Sequence, residues 1–432
     1  MRTINNNPNI ACPNANWNGA TANYCNGTAT DDVIAHEWGH AYTQFTSGLI
    51  YQWQSGALNE SFSDIWGETV DILNAYEDAD DDNSLRTGCG SSDRWMVGED
   101  ASAFGGAIRD MWDPTCLGHP GKVTDGQYWC STADSGGVHI NSGIPNHAYA
   151  LLVDGGTFNG QTVNAIGFTK AAHVFFRAQS QYLTATSDFG SMADALEASA
   201  TDLIGIDLEG LSTTSTPAGL SGEMITQADV DAVVAAVLAV EMRINPDACG
   251  FSTILAPIAD LCDNSTDDAI FFEDWETGMD GWTVELAPMN PGTWEDRDWV
   301  VTNTLPKGRP GNAAFGADPI IGDCNTDLEN GLISMTSPEI TLPNFTGGTY
   351  ELAFHHYVAT ETDWDGGNMQ YKLDGGAWLA LPSAAFTSNP YNGTLMFTGN
   401  DNPLRGQEAF HGVDEGSLTS SWGTSVIDIS SL

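Results

Sequence analysis

Residues 32–40 have the sequence Asp-Val-Ile-Ala-His-Glu-Trp-Gly-His and begin a run to Thr46 whose apolar positions predict a helix. His36 and His40 stand four residues apart, so on a helix their imidazoles share one face and can bind one zinc ion at roughly 2.0–2.1 Å each. Glu37 follows the first histidine, where its carboxylate can reach a water on the metal without binding the metal. This pentapeptide is short and also occurs by chance. The alternative is an amphipathic helix with two surface histidines.

A second helical run, predicted over residues 57–76, strengthens the zinc hypothesis. Glu60 lies twenty residues beyond His40, so two antiparallel helices with a connecting loop of that length would bring its carboxylate over the histidine pair. Two nitrogens and one carboxylate oxygen leave the fourth position for water, as expected of a catalytic zinc site. Asp64, one turn after Glu60, is suited to hold the far nitrogen of one histidine, and Asn59 is suited to hold that of the other.

The rest of the sequence divides into a mainly helical part and a strand-rich part. Helical periodicity recurs at residues 143–153, 168–183, 189–204 and 226–243. The last of these runs opens with Thr-Gln-Ala-Asp, which resembles a capping box. Residues 1–30 and 83–135 are predicted to be mostly loop. After about Cys262, short alternating runs punctuated by Gly, Asn, Asp and Pro indicate an all-β sandwich. The predicted fold class is therefore α+β, with a linker between Gly250 and Glu273.

The charge balance excludes two classes of partner. Acidic residues outnumber basic ones 58 to 13, which gives a formal net charge of -45. Such a field repels nucleic acid and anionic membranes, so we expect neither as a partner. No apolar run is long enough to cross a membrane. Most of the carboxylates are interpreted as a solvated acidic surface.

The eight cysteines indicate disulfides and an oxidising compartment, because none shows the Cys-x-x-Cys spacing of a structural zinc site. The sequence does not settle the pairing. By local spacing, they group as Cys12 with Cys25, Cys116 with Cys130 and Cys249 with Cys262, leaving Cys89 and Cys324. The chain begins Met-Arg-Thr-Ile, without the apolar stretch of a signal peptide. We therefore expect either that export signals were removed with a lost N-terminal portion or that the chain is a fragment.

Four further stretches form an ordered set with residues 32–40. They are Gly-Leu-Ile-Tyr at 48–51, Gly-Ala-Leu-Asn-Glu-Ser-Phe-Ser-Asp-Ile at 56–65, Arg-Asp-Met-Trp-Asp-Pro at 109–114 and Gly-Gly-Val-His-Ile-Asn-Ser-Gly at 136–143. Together they resemble the thermolysin (bacillolysin) family of metalloendopeptidases. The similarity spans roughly residues 14 to 245, and the order of the motifs makes it specific.

The resemblance implies catalytic roles for particular residues. Glu37 would activate the attacking water. Tyr51 and His139 would donate hydrogen bonds to the oxyanion of the tetrahedral intermediate, and Asp134 would orient the His139 imidazole. Arg109 would hold a substrate carbonyl and support the carboxylate ligand. The implied zinc ligands are His36, His40 and Glu60.

The resemblance also implies how a peptide would be bound. Asn14 and Ala15 match the strand that pairs with the extended backbone of the substrate. Val33 and Ile108 match positions that line the pocket for a bulky apolar residue after the scissile bond.

Two departures from the family change what we expect. Asp32, Asp71 and Glu99 match calcium ligands, but Arg94 and Met96 stand where carboxylates would be expected. We therefore predict one calcium ion there rather than two. The acidic loop at residues 78–82 could add ligands, although a solvated loop is the favoured explanation. The β-rich N-terminal domain of the family is largely missing, so we expect the chain to bind zinc yet cleave poorly.

The expected domain organisation follows from these observations. It comprises a remnant of the N-terminal protease subdomain at 1–30, a zinc metalloprotease catalytic and helical domain at 31–250, a linker at 251–270 and a β-sandwich accessory domain at 271–432. The accessory domain resembles the jelly-roll sandwiches appended to secreted bacterial proteases, and it is expected to be incomplete. Its Trp and Tyr residues could bind a glycan or a surface ligand, although core packing explains most of them.

The leading interpretation is a secreted, monomeric endopeptidase that uses zinc and calcium and cuts polypeptides before a bulky apolar residue. The alternative is a non-catalytic or truncated surface- or carbohydrate-binding protein that carries a protease remnant. Intact Glu37, Tyr51, Asp134 and His139 argue against that alternative, because a decayed site would lose one of them. A peptidase limited to short peptides is disfavoured, because nothing marks a site that binds a chain terminus.

Overall fold

The computed structural model describes residues 2–74, 81–257, 269–289, 298–316, 331–344, 348–430 and 432. These residues divide into two units, Met1–Phe251 with Gly416–Leu418 and Ser252–Glu415 with Thr419–Leu432. Among the described residues, the α-helices are segregated in the first unit, whereas strands occur in both units. This segregation is compatible with the predicted α+β class. None of the helices described is long and apolar enough to cross a membrane.

The two helices that carry the predicted zinc ligands are α1 (Asp31–Gln44) and α2 (Trp53–Leu73). Two aspartates in the first turn of α1 complement the positive end of the helix dipole. The helices pack against each other at glycines. A Cβ atom added to Gly39 would lie 2.7 Å from Ser63 Cα, and one added to Gly67 would lie 2.8 Å from the backbone oxygen of Asp32. The two backbones can therefore approach closely, so that side chains of both helices meet at one site.

The described part of the first unit contains five further α-helices, namely α3 (Asp134–Asn141), α4 (Gly143–Asp154), α5 (Gly167–Arg177), α6 (Phe189–Asp202) and α7 (Gln227–Ala239). Thr226 and Asp229 form the predicted capping box at the start of α7. The helix predicted over 168–183 ends earlier, because a π-helical turn at Ala178–Tyr182 follows α5. The loop predicted over 83–135 ends at α3, a helix that the sequence did not predict. Its residues Ser135, Gly136 and Gly137 have non-helical backbone angles, so the segment lacks helical periodicity.

The core of the first unit surrounds α4. Every residue from Gly143 to Val153 is buried, which is typical of a helix enclosed on all sides. The Tyr149 ring on this helix makes edge-to-face contacts with Trp95 and Phe175, at centroid distances of 5.9 and 4.9 Å. Helix α2 is also largely buried, so the site that it carries rests on a rigid base.

The strands of the first unit are short and lie around these helices. They are β1 (Arg2–Asn5), β2 (Ala15–Trp17), β3 (Thr21–Tyr24), β4 (Met96–Val97), β5 (Arg109–Asp110), β6 (Gly156–Phe158), β7 (Gln161–Val163), β8 (Asp207–Glu209) and β9 (Leu220–Met224). The first three form a sheet in the order β1-β3-β2, with β3 parallel to β1 and antiparallel to β2. The others pair antiparallel as β4 with β5, β6 with β7 and β8 with β9. Within this unit, β2 therefore lies at the edge of its sheet.

Three disulfides cross-link the first unit, namely Cys12–Cys25, Cys89–Cys116 and Cys130–Cys249. The expectation of disulfides is confirmed. Of the pairs suggested by local spacing, Cys12–Cys25 forms. Cys116 pairs with Cys89 rather than with Cys130, and Cys130 pairs with Cys249. Spacing along the chain does not fix the distance between loops, which explains the error. Cys262 and Cys324 lie outside the described residues.

The second unit consists of short antiparallel strands. They are β10 (Thr283–Pro288), β11 (Val300–Thr302), β12 (Ala313–Phe315), β13 (Gly331–Thr336), β14 (Glu351–His356), β15 (Gly366–Gly367), β16 (Gln370–Tyr371), β17 (Leu379–Ala380), β18 (Phe386–Ser388), β19 (Gly393–Thr394), β20 (Glu408–His411) and β21 (Gly423–Asp428). They pair as β10-β13, β11-β12, β14-β21-β18, β15-β20-β19 and β16-β17. Leu255, Tyr391 and Phe410 form one small core, and Leu395, Leu404 and Ala409 form another. The described strands do not confirm a jelly roll.

Candidate active site

The predicted zinc ligands meet where α1 packs on α2. The Nε2 atoms of His36 and His40 lie 3.0 Å apart. Glu60 places Oε1 3.3 Å from Nε2 of His40 and Oε2 3.6 Å from Nε2 of His36. One ligand atom from each of the three residues can be chosen so that all lie within 4.8 Å of one another. The antiparallel return that the sequence predicted therefore brings the carboxylate to the histidine pair.

The outer nitrogens of both histidines are held by acceptors. Nδ1 of His36 lies 2.8 Å from Oδ1 of Asp64, and Nδ1 of His40 lies 2.8 Å from Oδ1 of Asn59. The amide of Asn59 is oriented by its own donation to the Leu49 carbonyl at 3.0 Å. In the neutral imidazoles each Nδ1 then carries the proton and each Nε2 presents a lone pair. Two lone pairs and a carboxylate that converge on one point are a donor set suited to a zinc ion.

The charge around the site favours a cation at its centre. Burial lowers the pKa of His40, but the carboxylates of Glu60 and Glu37 outweigh burial and raise it to about 9. Burial likewise opposes ionisation of Glu60, yet the neighbouring His139 and His40 hold its pKa well below the usual range. A proton and a metal ion therefore compete for the same nitrogen, and metal binding is expected to release protons.

Asp64 anchors the base of the site. Its carboxylate accepts hydrogen bonds from Arg109 Nε at 2.7 Å and Nη2 at 2.6 Å, and from Asn146 Nδ2 at 2.8 Å. Burial raises the pKa of Asp64, but Arg109 and His36 hold it well below its usual range. Asp64 therefore stays ionised and fixes the orientation of His36. Nη2 of Arg109 also lies 3.7 Å from Oε2 of Glu60, so one guanidinium supports both carboxylates.

Tyr51 and His139 both lie beside Oε1 of Glu60. The Tyr51 hydroxyl donates a hydrogen bond to Glu60 and lies 3.1 Å from Nε2 of His139. Asp134 holds His139 twice, through Nδ1 at 2.6 Å and through the backbone N–H at 3.0 Å. The pKa of His139 is lowered by burial but raised overall by Glu60 and Asp134. The His139 side chain is 47% exposed, so it can reach a bound molecule.

Two glycines make this arrangement possible. Gly136 and Gly137, between Asp134 and His139, have φ of 90° and 78°, which non-glycine residues rarely adopt. A Cβ atom on Gly136 would lie 2.3 Å from the Trp53 ring, and one on Gly137 would lie 2.6 Å from Trp129. The chain therefore turns tightly enough for Asp134 to reach the imidazole five residues later.

One cleft, with a volume of about 710 Å³, is lined by the zinc-ligand residues and by Tyr51, Asn59, Arg109 and His139. The predicted peptide-binding residues Asn14, Ala15, Val33 and Ile108 also line it. Glu37 faces the same space. It is 5% exposed, its Oε2 has no hydrogen-bond partner among the described residues, and it accepts a hydrogen bond from the Trp17 backbone. Burial raises the pKa of Glu37, whereas His36 and His40 lower it by a smaller amount.

Sequence reasoning missed several residues of the site. Phe104 lines the cleft, and a Cβ atom on Gly98 would meet the Phe104 ring at 3.1 Å and Ile108 Cγ1 at 3.2 Å, so these two side chains converge. Phe104 lies in a Gly- and Asp-rich segment without periodicity, so no sequence signal identified it. Asn146, which supports Asp64, stands on a helix that was predicted, but nothing in the sequence marked its contact.

The predicted calcium ligands are distributed over two neighbouring acidic groups. Asp32, Glu68 and Glu99 form one, and Asp71, Asp81 and Glu99 form the other. The carboxylates of these groups are typical ligands of calcium. Residues 78–80 of the acidic loop lie outside the described residues. Arg94, at the position that departs from the family, pairs instead with Asp154 through Nε at 2.7 Å. Glu68 was absent from the sequence-based set, although its place one turn after Asp64 was visible.

Part of the chain is similar to known proteins. Residues 47–215 match the family described as "Thermolysin metallopeptidase, alpha-helical domain". A zinc metalloproteinase of Renibacterium salmoninarum is 42% identical over 194 residues, which cover 43% of this chain and 33% of that protein. A bacillolysin of Brevibacillus brevis is 41% identical over 203 residues, which cover 44% and 34%. The solved precursor of protealysin, a metalloproteinase from Serratia proteamaculans, is 24% identical with a TM-score of 0.36, covering 53% of this chain and 65% of its own. The chain thus spans about a third of the length of the curated relatives it matches.

Proposed function

We propose that this chain, which contains the α-helical domain of a thermolysin-like metallopeptidase, is the catalytic part of an endopeptidase that hydrolyses polypeptides. One observation carries the proposal. The histidine–glutamate metal group, a buried carboxylate at Glu37 and the donors Tyr51 and His139 all line the same cleft. A metal site that only stabilised the fold would not need these additional groups facing open space.

In the proposed mechanism, His36, His40 and Glu60 would hold the zinc ion. When bound, zinc supplies Lewis acidity that polarises the scissile carbonyl and lowers the pKa of a water molecule towards about 7. The residues around it keep this donor set in place. Asp64 and Asn59 hold the outer nitrogens, so the chain itself determines which nitrogen of each histidine faces the centre of the site.

Glu37 is the proposed general base. Its Oε2 is buried without a hydrogen-bond partner among the described residues, and burial raises its pKa towards the range in which a carboxylate accepts and releases protons efficiently. Glu37 takes a proton from the attacking water and then passes it to the nitrogen of the leaving amine. The hydrogen bond from the Trp17 backbone fixes one oxygen and leaves the other for this transfer.

Tyr51 and His139 are the proposed donors to the oxyanion. His139 Nε2 and the Tyr51 hydroxyl lie 3.1 Å apart, so both can reach one oxygen atom. Asp134 accepts from His139 Nδ1, which favours the protonated imidazole that donates through Nε2. A preorganised donor of this kind typically lowers the barrier by about 3 kcal/mol.

Substrate would lie along β2 and into the adjoining pocket. Strand β2 is hydrogen-bonded on one side to β3, so Ala15 can offer backbone groups to an extended peptide. The Asn14 carbonyl already accepts from the Cys25 backbone N–H, so Asn14 would contact substrate through its side chain. Val33, Ile108 and Phe104 line the apolar part of the cleft, which favours a bulky apolar residue after the scissile bond. We further propose that the protein works outside the cell, because the three disulfides of the first unit suit an oxidising environment.

The test is casein hydrolysis by the chain and by its Glu37→Gln variant, each with and without a zinc chelator. We expect wild-type activity to disappear with chelator, and Glu37→Gln to lose activity by about 10³-fold or more while it retains zinc. Asp231→Asn, on the exposed face of α7, is the matched control and should behave as wild type. Hydrolysis that survives both chelation and Glu37→Gln would contradict the mechanism.

A further inference from the structure

Two tryptophans contact the turn between Asp134 and His139, and the proposed mechanism gives neither of them a role. A Cβ atom added to Gly136 would lie 2.3 Å from the ring of Trp53, and one added to Gly137 would lie 2.6 Å from the side chain of Trp129. Neither tryptophan is among the described residues that line the cleft. Contact with a substrate therefore does not account for their positions, whereas contact with the turn does.

Trp129 holds the turn from both ends. Its indole Nε1 donates a hydrogen bond to the Ala133 carbonyl at 3.1 Å, and the same oxygen accepts from two backbone N–H groups of the turn at 3.1 Å each. Beyond the turn, the Trp129 backbone N–H donates to Oδ1 of Asn141 at 2.9 Å, and the Asn141 amide donates back to the Trp129 carbonyl at 3.1 Å. One residue therefore fixes the segment 133–141, which carries a proposed donor to the oxyanion.

Trp53 connects that turn to the segment that carries the other proposed donor. It is the first residue of α2 and follows Tyr51 by two positions. Its φ is 52°, a value that bulky residues rarely adopt. Backbone conformations of this kind persist only where the surrounding structure holds them, and they concentrate at functional sites. The Trp53 ring contacts Gly136 and makes an edge-to-face contact with Phe251 at a centroid distance of 5.7 Å.

A disulfide joins the surroundings of the two tryptophans. Cys130 follows Trp129 directly and is bonded to Cys249. Two residues after that cysteine, Phe251 packs against the ring of Trp53. Each indole is therefore held by contacts other than those with the turn, as the supporting residues of a precise site must be.

We propose that Trp53 and Trp129 are positioning residues, which hold the turn so that His139 and Tyr51 can reach one oxygen atom. The Tyr51 hydroxyl lies 3.1 Å from Nε2 of His139. Asp134 belongs to the same turn as His139, so its hydrogen bonds to His139 cannot fix the position of the turn relative to Tyr51. The two glycines of the turn are conformationally permissive, so the rigidity comes from the indoles. The catalytic consequence rests on the proposed function, in which His139 donates to the oxyanion.

Peptide hydrolysis by the zinc-loaded whole chain tests that consequence. Trp53→Asn removes the ring, and asparagine tolerates the positive φ. We expect kcat to fall by about tenfold or more with KM within about twofold of wild type, because a displaced donor weakens only the transition state. Trp53→Phe keeps an aromatic ring and should retain kcat within about threefold. Phe176→Ala removes an exposed ring that stacks on Tyr42, and this control should behave as wild type. A wild-type kcat in Trp53→Asn would overturn the proposal.

Hydrogen exchange followed by mass spectrometry separates this proposal from the proposed function, because it requires neither zinc nor substrate. In Trp53→Asn, the amides of segment 133–141 should exchange about tenfold faster than in wild type. The amides of the buried helix α4 should keep their wild-type rates, which shows that the variant is folded. Trp129→Phe, which removes the N–H donor to the Ala133 carbonyl, is a milder second variant and should accelerate the same amides.

The outcomes of the two experiments are distinguishable. Wild-type exchange of segment 133–141 in both variants would overturn the positioning role, even if the chain hydrolyses casein. Faster exchange in the variants, together with a wild-type chain that cleaves no peptide, would support the role of the tryptophans in holding the turn and contradict the proposed function.

Discussion

Asp64→Asn is predicted to weaken zinc binding and stability together. The Asp64 carboxylate accepts four hydrogen bonds, two on each oxygen. Oδ1 accepts from His36 and Arg109, and Oδ2 accepts from Arg109 and Asn146. An amide presents one acceptor oxygen and one donor nitrogen, so two of the four bonds are lost in either orientation. Arg109 also loses the nearer of its two carboxylate partners, and Oε2 of Glu60 remains at 3.7 Å.

The magnitude follows from these contacts. Breaking a buried ion pair from one side typically destabilises a protein by about 3–5 kcal/mol. Loss of the group that orients a liganding histidine typically weakens metal affinity by about 10–100-fold. We therefore expect Asp64→Asn to unfold at lower denaturant concentration and to bind zinc at least about tenfold more weakly. Chemical denaturation and competition with a chromogenic zinc chelator measure the two quantities.

Asp154→Asn separates the two effects. Asp154 accepts from Nε of Arg94 at 2.7 Å and Nη2 at 2.5 Å, and from Nε1 of Trp95 at 2.7 Å, so it is a comparable buried pair without a histidine. This variant should lose stability by a similar amount and retain wild-type zinc affinity. If Asp64→Asn also retained wild-type affinity, to within about twofold, its proposed role in orienting His36 would be refuted.

Three further predictions concern catalysis, specificity and acid stability. Asp134→Asn should lower kcat by about 100-fold with little change in KM, because His139 loses the partner that orients its imidazole. An unchanged kcat in peptide hydrolysis would argue against the role of Asp134 in orienting His139. Phe104→Ala should widen the cleft. The ratio of kcat/KM for a peptide with Phe after the scissile bond to kcat/KM for one with Val there should rise by about tenfold. An unchanged ratio would show that Phe104 does not line the pocket for this residue. Hydrogen bonds from Thr124, Lys122 and Asn159 outweigh burial and lower the pKa of Glu241 to about 2. The stability that the Glu241 carboxylate contributes is therefore present above about pH 4.3 and is lost as the pH falls towards 2. Glu241→Gln should therefore be less stable than wild type by about 1 kcal/mol at pH 6 and equally stable near pH 2 in denaturation experiments, and a constant difference across this range would contradict the assignment.

The zinc group could be predicted from sequence because its geometry is largely local. His36 and His40 share a helix face by spacing alone, and Glu60 with Asp64 needed only one helical return. The positions of Asp134 and His139 came from family resemblance, because the backbone between them is not regular. The assigned catalytic roles remain predictions, as does the division into domains.

Other features could not be predicted because they depend on three-dimensional contacts. In the sequence, Glu68 is indistinguishable from the other acidic residues of this acidic chain. Only the structure shows that it is buried and that its oxygens have no hydrogen-bond partner among the described residues. Phe104 lines the cleft while its ring packs tightly against Gly98, where an added Cβ atom would lie 3.1 Å from the ring. The pairing of Cys130 with Cys249 crosses 119 residues, and no local pattern encodes which loops meet. A glycan ligand of the second unit also remains a prediction, with Trp364 and Trp378 among its exposed aromatic residues.

The Cys130–Cys249 bond has a consequence for the covalent integrity of the first unit. It closes a loop that contains α3 to α7 and therefore His139. Every residue of the segment 212–222 inside that loop is exposed, and such segments are preferred sites of proteolytic nicking. A single cut there leaves both pieces joined through sulfur. Nicked molecules would migrate as one band on a non-reducing gel and separate into two only after reduction, so a reduced gel alone would overstate the loss of intact protein.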